Sequence, residues 1–323
     1  MKRTLTVLTL VLVLAMLVAC GWIWQRNGAY GFNTVLRRGG TYWIRLGPDD
    51  ARLSPSMRLA LKNPPPVATS GAFAWKEIDP GFEIAELPVI AAGVEVDRIL
   101  LSRIDPALFR FVVRNDAAGA MGLDEWERAL PNALLIVNGS YYDPKGRPAT
   151  PFISEGKILG PQRYDAKAGA FVAMANTAGV EDLSKRGWPE AFAGASNAMV
   201  SYPLLIGDDG QTHVPVKSRW LANRTFVGQD TAGRIVIGTT IDAFFSLERL
   251  AGFLQKSPLQ LAVALNLDGG PIACQSVRLN GVHRKFHALW ETQVTGDRVD
   301  LLRWPIAGAT WAMPVVLTVE RGH

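Results

Sequence analysis

The sequence has few of the side chains that build disulfide frameworks and zinc sites. It contains only two cysteines and four histidines in 323 residues. Cys20 lies inside an apolar N-terminal stretch, so a disulfide between it and Cys274 is not expected. Two cysteines are also too few for a zinc site built from cysteine. No metal ion and no cofactor is predicted.

Runs of charge of one sign are also missing. The formal net charge is +5, and lysine and arginine are scattered along the chain, adjacent only in pairs. A nucleic-acid-binding groove needs a basic stripe or patch, so nucleic acid is not an expected partner. A mildly basic surface favours anionic substrates or lipid head groups.

Several motifs with a known chemistry do not occur. There is no Gly-x-Ser-x-Gly nucleophile elbow, no P-loop, no dinucleotide-binding fingerprint and no His-Glu-x-x-His sequence. His283 and His287 are four residues apart, but Arg284 and Lys285 lie between them and would repel a cation. A surface-exposed histidine pair is the better interpretation.

The N-terminus, in contrast, carries a long apolar stretch. Two cationic residues precede an uncharged segment that runs from Leu5 to Trp24. Such a segment is long enough to cross a bilayer as a helix, so residues 1–24 are predicted to be a retained transmembrane anchor or signal segment. Leu17-Val18-Ala19-Cys20 resembles a bacterial lipobox, which makes a lipoprotein acylated at Cys20 the second choice. In both cases the remaining chain would be exported, to the periplasm or the cell exterior.

Composition divides the remaining chain into a lead-in and one domain. Residues 25–71 contain the run Pro64-Pro65-Pro66 and are expected to form a stalk or irregular lead-in, with a short helix capped by Ser54. From residue 72 to residue 323 the pattern is that of a single domain. Its predicted strands outnumber its helices and come in runs, which indicates an α+β fold of largely antiparallel sheets with flanking helices.

Two buried strands are predicted to end in a polar residue followed by glycine. One runs into Asn138-Gly139, and the other, Leu261 to Leu267, runs into Asp268-Gly269-Gly270. Functional groups are commonly presented at strand ends, and glycine lets a ligand approach the backbone closely. Taken alone, Asp-Gly is also a common turn pair, and the residues Asp143 to Gly146 are best interpreted as a β-turn. Arg224, at the start of a third strand, is able to bind an anion bidentately.

In their order and spacing these segments resemble the phosphodiester glycosidase family. That family includes N-acetylglucosamine-1-phosphodiester alpha-N-acetylglucosaminidase-like enzymes and exopolysaccharide-associated bacterial members. The matching segments are Asn138 to Asp143 (Asn-Gly-Ser-Tyr-Tyr-Asp), Tyr202 to Leu205, Arg224 to Gly228 and Asn266 to Gly270. The resemblance extends over most of the predicted domain.

The resemblance implies a glycoside hydrolase that cleaves a sugar 1-phosphodiester or a related envelope or exopolysaccharide glycan. Because the departing phosphate monoester is a stable anion, such an enzyme mainly needs a carboxylate near the anomeric carbon and a cation for the phosphate. The implied catalytic residues are Asp268, Asp143 and Arg224. The implied substrate-binding residues are Asn138, Gly139, Tyr141, Thr225, Asn266, Gly269 and Gly270.

Two other functions stay open on the sequence alone. Asp-Gly-Gly is followed here by Pro271-Ile272-Ala273, where family members usually have a third glycine and small hydroxyl residues. A non-catalytic glycan-binding or exopolysaccharide-assembly protein is therefore one alternative. The other is a metal-dependent phosphodiesterase with Asp143 and Asp268 as ligands, although no histidine-rich motif accompanies these acids.

Overall fold

In the part of the chain that the structure describes, the fold consists mainly of four β-sheets with a few short helices. A computed structural model of the protein describes residues 4, 6–22, 43–164, 168–214, 220–288, 290–295, 298–303 and 311–322. One sheet has eight strands, two have five and one has four, and neighbouring strands pair antiparallel. The predicted α+β fold with largely antiparallel sheets is confirmed.

The strands of the described residues, in chain order, are β1 (Trp43–Leu46), β2 (Ala68–Ser70), β3 (Lys76–Asp79), β4 (Phe82–Ala91), β5 (Val94–Ile104), β6 (Phe109–Asn115), β7 (Leu135–Asn138), β8 (Phe152–Ser154), β9 (Lys157–Leu159), β10 (Gly169–Ala173) and β11 (Ala178–Asp182). They continue with β12 (Asn197–Ser201), β13 (Leu204–Ile206), β14 (Trp220–Ala222), β15 (Thr225–Asp230), β16 (Ile235–Thr240), β17 (Leu261–Asn266), β18 (Cys274–Leu279), β19 (Val282–His287), β20 (Trp290–Thr295), β21 (Arg298–Arg303) and β22 (Val315–Arg321).

Short helices connect or cover these sheets. Within the domain they are α1 (Pro55–Ala60), α2 (Leu123–Ala129), α3 (Trp188–Ala191) and α4 (Leu247–Lys256). The predicted cap of α1 is present, since Ser54 Oγ accepts a hydrogen bond from the main-chain N–H of Met57 at 3.1 Å. Ser246 caps α4 in the same way, with Oγ accepting from the N–H of Arg249 at 3.3 Å. Such caps satisfy N–H groups that the first helical turn leaves unpaired.

The main hydrophobic core lies between the eight-stranded sheet and the two five-stranded sheets. The strand orders are β13-β17-β15-β16-β5-β4-β2, with β3 added on β4, then β19-β18-β7-β22-β6 and β11-β10-β12-β8-β9. Phe82, Phe111, Phe171, Leu265 and Val277 come from these three sheets and belong to one buried cluster. The opposite face of the eight-stranded sheet is covered by α1 and α4.

Residues 43–71 are integrated into the domain, whereas the sequence places them in a stalk or lead-in. β1 pairs with β21, and β2 pairs with β4. Met57 of α1 is fully buried, in a cluster with Val299 and Leu301. Pairing between such short and distant segments leaves no periodic signal in the sequence. Residues 25–42 of the predicted lead-in lie outside the described residues.

The described part of the predicted N-terminal anchor is helical. Residue 4 and residues 6–22 are in helix, while the other residues between 1 and 24 lie outside the described part of the chain. The side chains of Leu8, Leu12 and Leu17 are 60%, 64% and 62% exposed. Among the helices that the structure describes, none meets the length and the apolarity that crossing a membrane requires.

The apolar segment from Val200 to Ile206 is divided between two strands in different sheets. β12 ends at Ser201 in a five-stranded sheet, and β13 starts at Leu204 in the eight-stranded sheet. Between them lies Tyr202-Pro203, and proline has no N–H to continue a strand ladder. The break places Tyr202 near the ends of β7 and β17.

Candidate functional site

Strand ends from two sheets meet at one place on the domain. β7, of a five-stranded sheet, ends at Asn138, while β17, of the eight-stranded sheet, ends just before Asp268. The main-chain N–H of Asp268 donates to the carbonyl oxygen of Gly139 at 3.0 Å. The N–H of Leu267 donates to the carbonyl oxygen of Thr225 at 2.9 Å, at the start of β15. The structure therefore brings together three of the segments that the sequence singled out.

Asn138 joins these segments through its side chain. Its Nδ2 donates to the carbonyl oxygen of Asp268 at 2.6 Å. Its Oδ1 accepts from Thr225 Oγ1 at 2.7 Å and from the main-chain N–H of Cys274 at 3.1 Å. Because Asn138 and Thr225 are both fully buried, these side chains hold the strand ends together beneath the surface. Sequence reasoning placed both among the substrate contacts, and the geometry instead indicates a positioning role.

Arg224 is a fixed cation beside the Asp268 loop. Its side chain is buried, with Nη2 donating to the carbonyl oxygen of Trp220 at 2.7 Å and Nε donating to that of Phe245 at 3.3 Å. Its Nη1 lies only 3.4 Å from the place where a Cβ on Gly269 would be. The guanidinium is thus held rigidly, with one end against the glycine that follows Asp268.

Asp268 is the half-buried carboxylate of the site. Its Oδ1 accepts a hydrogen bond from the N–H of Gly269 at 2.8 Å. Gly270 follows with a φ of +70°, in the left-handed region that favours glycine, and its N–H donates to the carbonyl oxygen of Asn223 at 2.9 Å. The Gly-Gly pair therefore serves two needs: a close approach to Arg224 at the first glycine and a left-handed turn at the second.

Two stacked tyrosines form the next part of the site. The rings of Tyr141 and Tyr202 have centroids 4.3 Å apart and planes 21° from parallel. Tyr141 donates its hydroxyl to the carbonyl oxygen of Tyr202 at 2.9 Å, and Asn266 Nδ2 donates to the same hydroxyl at 2.9 Å. Asn266 is fully buried, so it positions the tyrosines from below.

The electrostatics place both tyrosines near Asp268, and Tyr141 near Arg224 as well. Burial raises the pKa of Tyr141 well above its ordinary value, Asp268 raises it further, and Arg224 lowers it. Burial and then Asp268 likewise raise the pKa of Tyr202. Both phenols therefore keep their protons at neutral pH, and Tyr141 donates a hydrogen bond to the carbonyl oxygen of Tyr202. The side chain of Tyr202 was not among the predicted site residues; its only signal was its place in the Tyr-Pro-Leu-Leu segment.

Asp143 lies in the turn that the sequence predicts. Its Oδ1 accepts from the N–H groups of Lys145 and Arg147 at 2.8 and 3.0 Å, and its Oδ2 accepts from Arg147 Nη2 at 2.7 Å. Burial acts to raise the pKa of Asp143, but hydrogen bonds from Arg147 outweigh it and lower the pKa. The carboxylate is thus ionised and engaged by its own turn.

The residues that depart from the family pattern after Asp-Gly-Gly are buried. Gly270–Ile272 form a 3-10 turn, and Pro271, Ile272 and Ala273 are all buried. Ile272 packs in a cluster with Trp126 and Met313, under α2. The departure therefore changes packing beneath the Asp268 loop and adds no side chain to its exposed surface.

Replacing Asn138 by alanine is expected to lower the free energy of unfolding by about 2–4 kcal/mol, because three buried groups lose their partner. Those groups are Thr225 Oγ1, the N–H of Cys274 and the carbonyl oxygen of Asp268. Urea unfolding of the full chain measures the change. The exposed Asn176, replaced in the same way, is the control. Equal stability of the two variants would contradict the positioning role.

The sequence and the fold are similar to those of known proteins. Residues 131–289 match the family model of phosphodiester glycosidases, and that range includes Asn138, Arg224 and Asp268. Among solved structures, the chain is similar to the catalytic domain of zebrafish N-acetylglucosamine-1-phosphodiester alpha-N-acetylglucosaminidase auto-inhibited by its pro-peptide. The TM-score is 0.51 and the identity 16%, over 87% of this chain and 88% of that chain.

A hypothetical protein from Synechocystis is similar as well, with a TM-score of 0.50 and 13% identity. That match covers 78% of this chain and 64% of the other. Similarity to solved structures at these identities shows a shared fold. No curated protein sequence is close enough to this chain to match it. The family resemblance inferred from the sequence motifs is confirmed by the family model.

Proposed function

We propose that the protein hydrolyses a sugar 1-phosphodiester. The first support is that residues 131–289 match the family model of phosphodiester glycosidases. The observation that carries the proposal is the meeting of the Asp268 loop with the buried Arg224 guanidinium, under the hydroxyl groups of two tyrosines. The similar zebrafish protein is by its name a glycosidase of N-acetylglucosamine 1-phosphodiesters. We extend the same substrate class to this chain.

In the proposed reaction the bond from the anomeric carbon to the phosphate oxygen breaks. The electron pair leaves with the phosphate, and water supplies the oxygen that remains on the sugar. Positive charge develops on the sugar ring in an oxocarbenium-like transition state, which a carboxylate beside the anomeric carbon stabilises. Asp268 takes this role, as nucleophile or as the base that activates water.

Arg224 acts on the leaving group. A phosphodiester carries one negative charge, and the departing monoester carries close to two. A cation held at that place therefore stabilises the transition state more than the bound substrate. Because two backbone carbonyls already fix the guanidinium, no reorganisation is needed when the charge develops.

Asp143 has a structural role in the proposed mechanism and not a catalytic one. Its carboxylate is ionised and bound to Arg147, so it has no proton to donate at neutral pH. A phosphate monoester leaves readily without protonation, so the reaction does not require a second carboxylic acid as proton donor. We assign Asp143 to holding the loop that carries Tyr141.

The test uses the purified full chain and a methyl diester of N-acetylglucosamine 1-phosphate. The expected result is release of free N-acetylglucosamine and methyl phosphate in equal amounts. A panel of diesters with other sugars extends the test to other substrates. Binding of these diesters without release of sugar would instead support a non-catalytic glycan-binding protein.

We further propose that the domain is exported and held at the cell membrane by residues 1–24, where it acts on envelope or exopolysaccharide glycans. The support is the uncharged run from Leu5 to Trp24 after two cations, together with the exposed apolar side chains of residues 6–22. The full chain is expected to stay with membranes after an alkaline carbonate wash and to be digested by external protease in spheroplasts. Replacing Cys20 by alanine would release the chain only if a lipid on Cys20 is the anchor. Recovery in the cytosol would contradict the proposal.

A further inference from the structure

A cavity opens beside the candidate site. Its volume is about 460 Å³, within the range of about 300–1,000 Å³ that is usual for small-molecule sites. Its walls include Tyr164, Asp182, Ser184, Tyr202 and His213. The cavity and the site therefore share one residue, Tyr202.

Tyr202 connects the two spaces electrostatically as well. One face of its ring stacks on Tyr141. Burial raises the pKa of the Tyr202 hydroxyl, and the nearby Asp268 raises it further. Burial and the nearby Tyr202 raise the pKa of Tyr164 to about 12. Tyr202 thus contacts Tyr141 of the candidate site and lines the cavity together with Tyr164.

The polar wall of the cavity contains a buried carboxylate. Asp182, the last residue of β11, is only 4% exposed, and its Oδ1 accepts from the N–H of Ser184 at 2.8 Å. Burial acts to raise the pKa of Asp182, but hydrogen bonds from Ser184 and Asp208 and the nearby His213 lower it. Asp182 therefore presents an ionised, hydrogen-bonded carboxylate on the wall of the cavity.

A glycine keeps this wall open. A Cβ on Gly207 would lie 2.5 Å from His213 Nε2 and 2.9 Å from Asp182 Oδ2. Any side chain at this position would therefore push the imidazole and the carboxylate apart. His213 also contacts Asp209, with 2.9 Å between Nε2 and Oδ1, which fixes the ring at the cavity rim.

We propose that this cavity binds a second, neutral sugar ring, so that the substrate is at least a disaccharide rather than a single sugar on a phosphate. The inference rests on the proposed function and deepens it. Phenol hydroxyls, a carboxylate and an imidazole match the donors and acceptors of adjacent sugar hydroxyls. An anionic group would be repelled by Asp182, which assigns the phosphate to Arg224 and leaves this space to the glycan.

Filling the cavity from its rim tests the proposal. Ala149 lines the cavity and is exposed, so Ala149→Trp adds bulk there without disturbing the core. Ala232→Trp is the matched control, on the exposed turn after β15, at the opposite end of that strand from Thr225. Tyr164→Phe is the milder variant, since it removes only a hydroxyl group.

The readout is direct binding of sugars to the full chain, by calorimetry and saturation-transfer NMR. The probes are N-acetylglucosamine with N,N′-diacetylchitobiose, and glucose with cellobiose and maltose. We expect at least one disaccharide to bind about tenfold more tightly than its monosaccharide, which corresponds to about 1.4 kcal/mol. Ala149→Trp should abolish this difference, Tyr164→Phe should reduce it, and Ala232→Trp should preserve it.

The proposal is overturned if no disaccharide binds more tightly than its monosaccharide, or if Ala149→Trp leaves the difference intact. Because binding needs no turnover, this result is independent of the hydrolysis test. A disaccharide preference without hydrolysis contradicts only the proposed reaction. Hydrolysis without a disaccharide preference contradicts only the second sugar subsite.

Discussion

Replacing Asp268 with asparagine is expected to lower kcat/KM for a sugar 1-phosphodiester by about 10³-fold. Asparagine keeps the size of the side chain, and its carbonyl oxygen is still able to accept from the N–H of Gly269. What disappears is the negative charge that stabilises the oxocarbenium-like transition state or activates water. Initial rates of sugar release, measured over a range of substrate concentrations, give kcat and KM separately.

The matched control is the same substitution at Asp49, an exposed acid outside the site. Thermal unfolding of both variants is also measured, so that a loss of activity caused by unfolding is distinguished from the loss of a catalytic group. If Asp268→Asn has the unfolding midpoint of the wild type and retains full activity, Asp268 takes no part in the mechanism. A similar loss in Asp49→Asn would show that the assay does not report on the site.

Replacing Arg224 with lysine is expected to lower kcat by about 10²–10³-fold, the usual effect of removing one fixed donor from a developing anion. Lysine keeps the charge but lacks the planar fork that donates to the carbonyl oxygens of Trp220 and Phe245 while it faces the ligand. The ammonium group of lysine is unable to donate to both carbonyl oxygens and to the phosphate in the same geometry. Because the leaving group gains charge in the transition state, kcat should fall more than KM rises.

Arg234→Lys provides the control for this substitution. Arg234 lies just before β16, at the other end of the same hairpin, and pairs with Asp230 at 2.8 Å. The substitution Arg234→Lys is expected to leave kcat and KM unchanged. A KM effect in Arg224→Lys with an unchanged kcat would mean that the arginine binds the ground state only, against the proposed role on the leaving group.

The parts of the fold with a local signal in the sequence are the ones that can be predicted from it. In α4 this signal is the capping Ser246 and the buried face of Leu250, Phe253 and Leu254. In β5 it is the alternation between Val94 and Ile104. The four-stranded sheet β1-β21-β20-β14 carried no such signal, since it joins short segments that are far apart in the chain.

The candidate site was predictable to the level of strand ends. Asn138 and Asp268 each follow a buried apolar strand, and glycines follow both. In the structure Asn138 Nδ2 donates to the carbonyl oxygen of Asp268 at 2.6 Å. Which side chains face the surface could not be read from the sequence, because it depends on how two sheets pack. Asn138, Thr225 and Asn266 turn inward and hold the site, while Tyr202 reaches it only because Pro203 separates β12 from β13.

The most direct test of the account is the position of the bond that is cleaved. Hydrolysis of the methyl diester of N-acetylglucosamine 1-phosphate in ¹⁸O-labelled water, with the products examined by mass spectrometry, locates it. If the enzyme breaks the bond between the anomeric carbon and the phosphate oxygen, as proposed for Asp268 and Arg224, the label enters the released sugar. The methyl phosphate then stays unlabelled. Label in the phosphate, with loss of activity in a chelator, would contradict the account and would instead indicate a metal-dependent phosphodiesterase.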